Sequence, residues 1–241
     1  MNNLSTKLLL HTFFRTFLVG AAYNKRGLQN VGFMYVMEPG LAAIWKNPQD
    51  YKLAVCRYVR YHNCHLFWTP LLAGMFLRIE LDITQNRMTD VGFMALKDTV
   101  TNTLSAIGDS VFGGTTLVTW GLGCALFFAL NLPLAAVALT ALLFCALMIF
   151  KAITFAVGLR HGIYALPWLH KWNLINWGER LKIVNALLLL GILALLVPKE
   201  AMPVLWVGTI IATSFAAWLV NMHVPRPILA LLATLGVLFF V

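Results

Sequence analysis

The stretch "TLSAIGDSVFGGTTLVTW", residues 103–120, decides how this 241-residue chain is read. Asp109 stands there in a glycine-studded segment, and beyond it no Lys, Arg, Asp or Glu occurs through residues 110–150. An uncharged run of that length belongs in lipid or in a very large core, and a chain of this size cannot build the second. A bilayer core takes roughly 20 apolar residues per helix, so the run holds a pair of spans if something interrupts it. Asn131, Leu132 and Pro133 supply that interruption. Further apolar blocks follow at residues 183–197, 204–222 and 228–241. The first and last are short for a straightforward crossing and suit tilted, paired or partly re-entrant segments.

Composition agrees with this reading. Apolar residues make up 60% and charged residues 11% of the chain, against about 25% charged in soluble domains. The expected fold class is an all-α integral membrane protein: an amphipathic and re-entrant N-terminal helical region, then about four to five apolar membrane helices. The net charge of +9 needs no nucleic acid, because basic residues flanking spans follow the positive-inside bias. Lys151, Arg160, Lys171, Arg180 and Lys182 fall between the second and third expected spans, whereas the turn at Asn131 carries no basic residue. That loop, the N-terminus and everything before Asp109 are accordingly placed in the cytoplasm.

Residues 1–109 carry eleven of the eighteen Lys and Arg and seven of the nine acids, which sets a cytoplasmic and interfacial region, 1–109, apart from a transmembrane region, 110–241. Within the first, Lys7, His11 and Arg15 recur every four residues, marking an amphipathic helix at the membrane interface. A helix through Gly32 is expected to stop at Glu38, Pro39 and Gly40, and another to run from about residue 49 to 61. The apolar centre of residues 62–81 is too short to cross and carries Pro70 and Gly74, so it reads as a re-entrant hairpin or an interfacial helix. Glu80, Asp82, Arg87, Asp90, Lys97 and Asp98 then read as a solvated linker. Cys56, Cys64, Cys124 and Cys145 show no CxxC pair and read as reduced, buried residues.

Asp109 and Ser110 have two compatible readings: they cap an apolar helix, or they line a polar path, with Gly113 and Gly114 allowing close approach. Asn63 and His65 offer hydrogen bonds suited to sugar hydroxyls, and Trp68 is the one tryptophan singled out for sugar stacking. No metal cluster, cofactor fingerprint or catalytic set is recognisable.

Three stretches together resemble one family, the IID membrane subunit of mannose/fructose/sorbose-type phosphotransferase systems. "YNKRGLQNVGFMYVMEPGL", residues 23–41, is similar to the family's N-terminal pattern through Arg26, Gln29 and Gly32. "HNCHLFWTPLLAGMFLRIE", residues 62–80, places Asn63, His65, Phe67, Gly74 and Glu80 on family positions. "LKDTVTNTLSAIGDSVFGGT", residues 96–115, does the same for Lys97, Leu104, Gly108, Asp109, Ser110, Phe112, Gly114 and Thr115. Departures are Cys64 for Thr, Leu66 for Pro, Asn102 and Thr103 for Gly-Pro, Gly113 for Trp, and Arg60 where an acid is common.

The resemblance implies a non-enzymatic permease subunit in a bacterial inner membrane, paired with a IIC subunit in a hetero-oligomer. The pair carries a hexose inward while IIA and IIB partners phosphorylate it, so no histidine here is expected to carry phosphate. Its departures motivate an alternative, a diverged scaffold or regulatory subunit that moves little sugar.

Overall fold

The computed structural model describes residues 4–196 and residues 207, 208, 211 and 215. The chain divides into two compact units, Met1–Leu189 and Leu190–Val241. The apolar blocks expected at 204–222 and 228–241 lie outside the described residues apart from those isolated positions.

Helix α1 (Thr6–Arg15) starts at Ser5, whose hydroxyl accepts from the Leu8 amide at 3.3 Å, and passes into a 3-10 segment, Thr16–Ala22. Its basic stripe is tied inward at one end. Arg15 Nη1 donates to the Tyr35 carbonyl at 2.8 Å and to Glu38 Oε2 at 2.7 Å. Those contacts explain why α2 (Asn30–Ile44) continues through Pro39 instead of stopping at residues 38–40. Proline removes the N–H that would reach the carbonyl four residues back. That carbonyl belongs to Tyr35, and Arg15 replaces the missing donor.

Helix α3 (Pro48–Tyr58) begins at Asn47, whose side chain accepts from the Gln49 amide. Helix α4 (Thr69–Thr84) corrects the expected hairpin: it is unbroken, and twelve of its sixteen residues are buried. Pro70 lies in the first turn, where a missing N–H disrupts nothing, and Gly74 is a packing contact. A Cβ on Gly74 would fall 2.3 Å from the Phe155 carbonyl oxygen, and one on Gly158 would fall 2.4 Å from the Leu71 carbonyl oxygen. The two glycines let α4 and α7 (Pro133–His161) cross nearly backbone to backbone, and this is the most extensive helix pair among the described residues.

The supposed solvated linker is also corrected. Glu80 is fully buried, as are Lys97 and Arg57 within a few percent. The Glu80 carboxylate accepts from Trp45 Nε1 (2.8 Å), Tyr58 Oη (2.8 Å), and Arg57 Nε and Nη2 (3.1 and 2.5 Å), while Arg57 also reaches Asp90 at 3.0 Å. Burial disfavours the Arg57 charge, yet Glu80 and Asp90 leave its pKa above the ordinary value. Burial and the neighbouring Glu80 charge raise the Tyr58 hydroxyl well above its own.

From Asp90 the chain runs as one helical rod: α5 (Asp90–Gly108), a π-helical segment (Asp109–Thr116) and α6 (Leu117–Ala129). The boundary expected at residue 109 therefore falls inside a continuous helix. The capping role for Asp109 is overturned for the same reason: with helical backbone on both sides, there are no free first-turn amides for its side chain to satisfy. A turn with Asn131 at φ 59° separates α6 from α7, as the Asn-Leu-Pro sequence requires.

Lys151, expected in a loop, lies inside α7. A short 3-10 turn (Gly162–Tyr164) and α8 (Ala165–His170) lead to α9 (Leu174–Leu196), which begins well before the expected apolar block. Asn185 of α9 donates to the Thr115 carbonyl in the π segment at 3.3 Å and accepts from Thr119 Oγ1 at 2.7 Å. This joins α9 to the irregular turn through the one place in the rod where regular i to i−4 pairing is relaxed.

Against the four to five membrane helices expected, two helical runs among the described residues are long and apolar enough to cross a bilayer, Asp90–Ala129 and Pro133–His170. The four cysteines are free, but only Cys64 is buried; Cys56 and Cys145 are exposed.

Candidate functional site

The site is built on two loops held together by main-chain hydrogen bonds. The Asn24 and Leu28 amides and carbonyls pair at 2.9 Å, the Gln29 amide donates to the His62 carbonyl at 2.9 Å, and the His62 amide donates to the Gly27 carbonyl at 3.2 Å. Gln29 Oε1 then accepts from the Cys64 amide at 3.0 Å. This bracing holds Leu28 at φ 56°, a left-handed conformation costing a branched side chain about 1–2 kcal/mol. Gly32 completes the bracing: a Cβ there would lie 1.9 Å from the Val19 carbonyl oxygen. Arg26 contributes through its main chain, its amide donating to Asn24 Oδ1, while its side chain is exposed.

His62 anchors the loop from below. Its ring stacks on Phe33 at 3.9 Å and 11°. Burial, reinforced by the charge of Lys97, pushes its pKa from 6.5 down to about 3. The folded chain thus holds His62 neutral where the unfolded chain would protonate it. No penalty exists above pH 6.5; below it, stability falls by up to about 1.4 kcal/mol per pH unit until the folded value is reached. Thermal melts in detergent should show a loss of about 2 kcal/mol between pH 7 and pH 5, and His62→Phe should flatten that dependence. An unchanged slope in the variant would assign the pH effect elsewhere.

The adjoining residues face the π segment. Gly108 brings α5 against them, since a Cβ at that position would fall 2.4 Å from His65 Cβ and 2.8 Å from Trp68 Cδ1. The His65 ring stacks on Phe112 at 5.3 Å and lies 5.4 Å from Phe67. Burial lowers the His65 pKa; the Asp109 carboxylate opposes that shift and Lys151 reinforces it. His65 is therefore a half-buried imidazole within electrostatic range of both a carboxylate and an ammonium. Asp109 and Ser110 are exposed, and Asn63 is partly so, its amide making no hydrogen bond among the described residues.

Trp68 does not belong to an open path. It is fully buried, edge-on to Phe112 and Phe150 at 5.6 and 5.2 Å, because helix α4 begins beside it and draws it into the core. The tight packing expected of Gly113 is not there either, as a Cβ on it would meet nothing within 4 Å. A Cβ on Gly114 would come 3.3 Å from the Asp109 carbonyl oxygen, a contact within the π segment itself. Cys64 is no nucleophile at neutral pH, since burial pushes its thiol up to about 12. Among the described residues no group of His, Cys, Asp or Glu has metal-binding geometry. A groove of about 320 Å³ between Leu104, Ile107, Leu169, His170, Asn173 and Leu174 shares no residue with this cluster.

The loop–helix arrangement extends over residues that the family pattern shares. The family described as the PTS system mannose/fructose/sorbose family IID component matches residues 3–239. The chain belongs to this IID family. The fructose permease IID component of Bacillus subtilis (strain 168) is 24% identical over 113 residues, 46% of this chain; the match spans only 41% of that relative's length. Two solved structures share the fold. One, described as a membrane protein, aligns over 79% of this chain and 70% of its own with a TM-score of 0.66 and 22% identity. The other, the mannose transporter ManYZ with microcin E492 (MceA), aligns over 98% and 96% with a TM-score of 0.59 and 20% identity.

Sequence reasoning on IID residues missed three participants: His62, Lys151 and Asn185. Lys151 was readable as the lone charge between two apolar runs, and Asn185 as the lone amide in another. The stacking of His62 has no sequence signal.

Proposed function

We propose that this chain forms, with a IIC subunit in the bacterial inner membrane, the permease of a mannose-type phosphoenolpyruvate-dependent phosphotransferase system. It carries part of the path of a hexose that IIA and IIB partners phosphorylate. Its N-terminus lies in the cytoplasm, and Asn63, His65, Asp109 and Ser110 face the path. The observation carrying this reading is the packing of half-buried His65 on Phe67 and Phe112, within electrostatic range of exposed Asp109, at a π-helical turn within an apolar rod. Irregular helix and an ionisable group at membrane depth are found together where a polar solute passes. A neutral sugar needs a donor, an acceptor and an aromatic face, and the cluster offers all three.

The test is phosphoenolpyruvate-dependent uptake of labelled mannose and fructose in cells lacking their own systems, expressing this chain with IIC, IIA and IIB, beside an omission control. Asp109→Asn should change stability by less than about 0.5 kcal/mol, because the side chain is exposed and caps nothing, yet lower uptake at least about tenfold. Wild-type uptake in that variant would remove Asp109 from the path.

One observation favours a scaffold subunit instead: nothing lies within 4 Å of a Cβ placed on Gly113, the position at which the chain departs from the tryptophan of the family pattern it resembles. A purified IIC–IID pair that binds no labelled sugar would support that second reading.

A further inference from the structure

Lys151 is the charge in α7 that neither the fold nor the family motifs account for. It lies about 15 Å along the helix from the His161 end, is 5% exposed, and makes no hydrogen bond or ion pair among the described residues. Its ammonium sits over the Phe17 ring at 4.2 Å and the Phe67 ring at 5.2 Å. Two ring faces offset the loss of hydration only in part, and an ammonium at membrane depth without a carboxylate or carbonyl partner marks a solute path more often than a structural contact.

We propose that Lys151 is a sugar-binding residue that donates to hexose hydroxyls while Phe17 and Phe67 cover a ring face. This rests on the permease reading above and adds a specificity-determining residue to its site. Phe67 links Lys151 to His65, because it touches both. The Asp109 carboxylate acts electrostatically on the same imidazole. An anion would meet that carboxylate unfavourably, whereas a neutral polyol uses an ammonium donor and a carboxylate acceptor together. Flat apolar ring faces beside the donor fit the C–H faces of a pyranose or furanose better than a phosphate.

The test uses the purified IIC–IID pair with labelled mannose and fructose, comparing the wild type with Lys151→Met and Lys151→Arg. Equilibrium binding, assembly yield and melting temperature are read on the same samples. The Met variant should assemble at wild-type yield and melt at the same or a higher temperature, since a buried unpaired charge is replaced by an apolar chain of similar length. Its sugar affinity should fall about tenfold to a hundredfold, and Arg should restore part of it. Wild-type affinity in the Met variant overturns the proposal. A loss of yield or melting temperature overturns it too, by showing that Lys151 is a structural or partner-pairing residue. If the wild-type pair binds neither sugar, the permease reading itself falls and this assignment with it, an outcome distinct from a variant that binds normally.

Discussion

Gly158→Ala is expected to abolish recovery of folded protein, with a destabilisation of about 3 kcal/mol or more. Overpacking a well-fitted contact costs about 1–3 kcal/mol when side chains can yield, but here they cannot. The added methyl would stand 2.4 Å from the Leu71 carbonyl oxygen and 2.8 Å from the Met75 amide nitrogen, both main chain of α4. Relief requires the helices to part, and that loosens the central packing of Leu71, Leu72, Met75 and Phe155, all buried. Gly74→Ala should behave alike, meeting the Phe155 carbonyl oxygen at 2.3 Å and the Leu159 amide nitrogen at 2.8 Å. Gly121→Ala is the control: nothing lies within 4 Å of its added methyl, and the better helix propensity of alanine should make it neutral or slightly stabilising. Monodisperse yield in detergent and melting temperature decide the matter. A Gly158→Ala protein that matches Gly121→Ala in both would show that α4 and α7 do not cross this closely.

Glu80→Ala should destabilise the chain by about 3–5 kcal/mol, the range for removing one partner of a buried ion pair. The carboxylate satisfies donors from Trp45, Arg57 and Tyr58, so its loss strands a charge and two neutral groups at once. Asp90 moderates the effect, because it still pairs with Arg57, but its side chain is 54% exposed and screened. Glu80→Gln should recover only part of the loss, since a neutral amide leaves the guanidinium with only the exposed Asp90 as counter-charge. The pair Glu80→Leu with Arg57→Leu should recover more than Glu80→Ala alone, because two apolar residues avoid the stranded charge. Thermal or denaturant unfolding of the three variants measures this. A cost under about 1 kcal/mol for Glu80→Ala would mean that water reaches the cluster and the charges are not buried.

These two positions illustrate how residues of ordinary appearance acquire their roles. Glu80 reads as one charge among six in a polar stretch, and Gly74 as a helix breaker in a short apolar segment. Both readings fail because burial is decided by what packs against a residue, and the partners lie on α2, α3, α5 and α7, far along the chain. Lys151 was misplaced for a related reason: a positive-inside argument counts charges along the sequence and cannot see a cation that two aromatic rings shelter.

The sequence by itself determined the helical membrane class, the break at residues 131–133, the family and the motifs bearing Asn63, His65 and Asp109. These follow from hydropathy, turn chemistry and local motifs, which are properties of neighbouring residues. Tertiary structure alone decided that α2 passes through Pro39, that the rod runs unbroken past Asp109, that Trp68 is core, and that His65 lies within electrostatic range of Asp109 and Lys151. Each depends on a contact between distant segments: the Arg15 hydrogen bond to Tyr35, the Asn185 contact with the π turn, and the glycine at 108 that lets a helix press against a loop. Such contacts are set by shape and by unpaired backbone groups finding donors, and no periodicity in the chain records them.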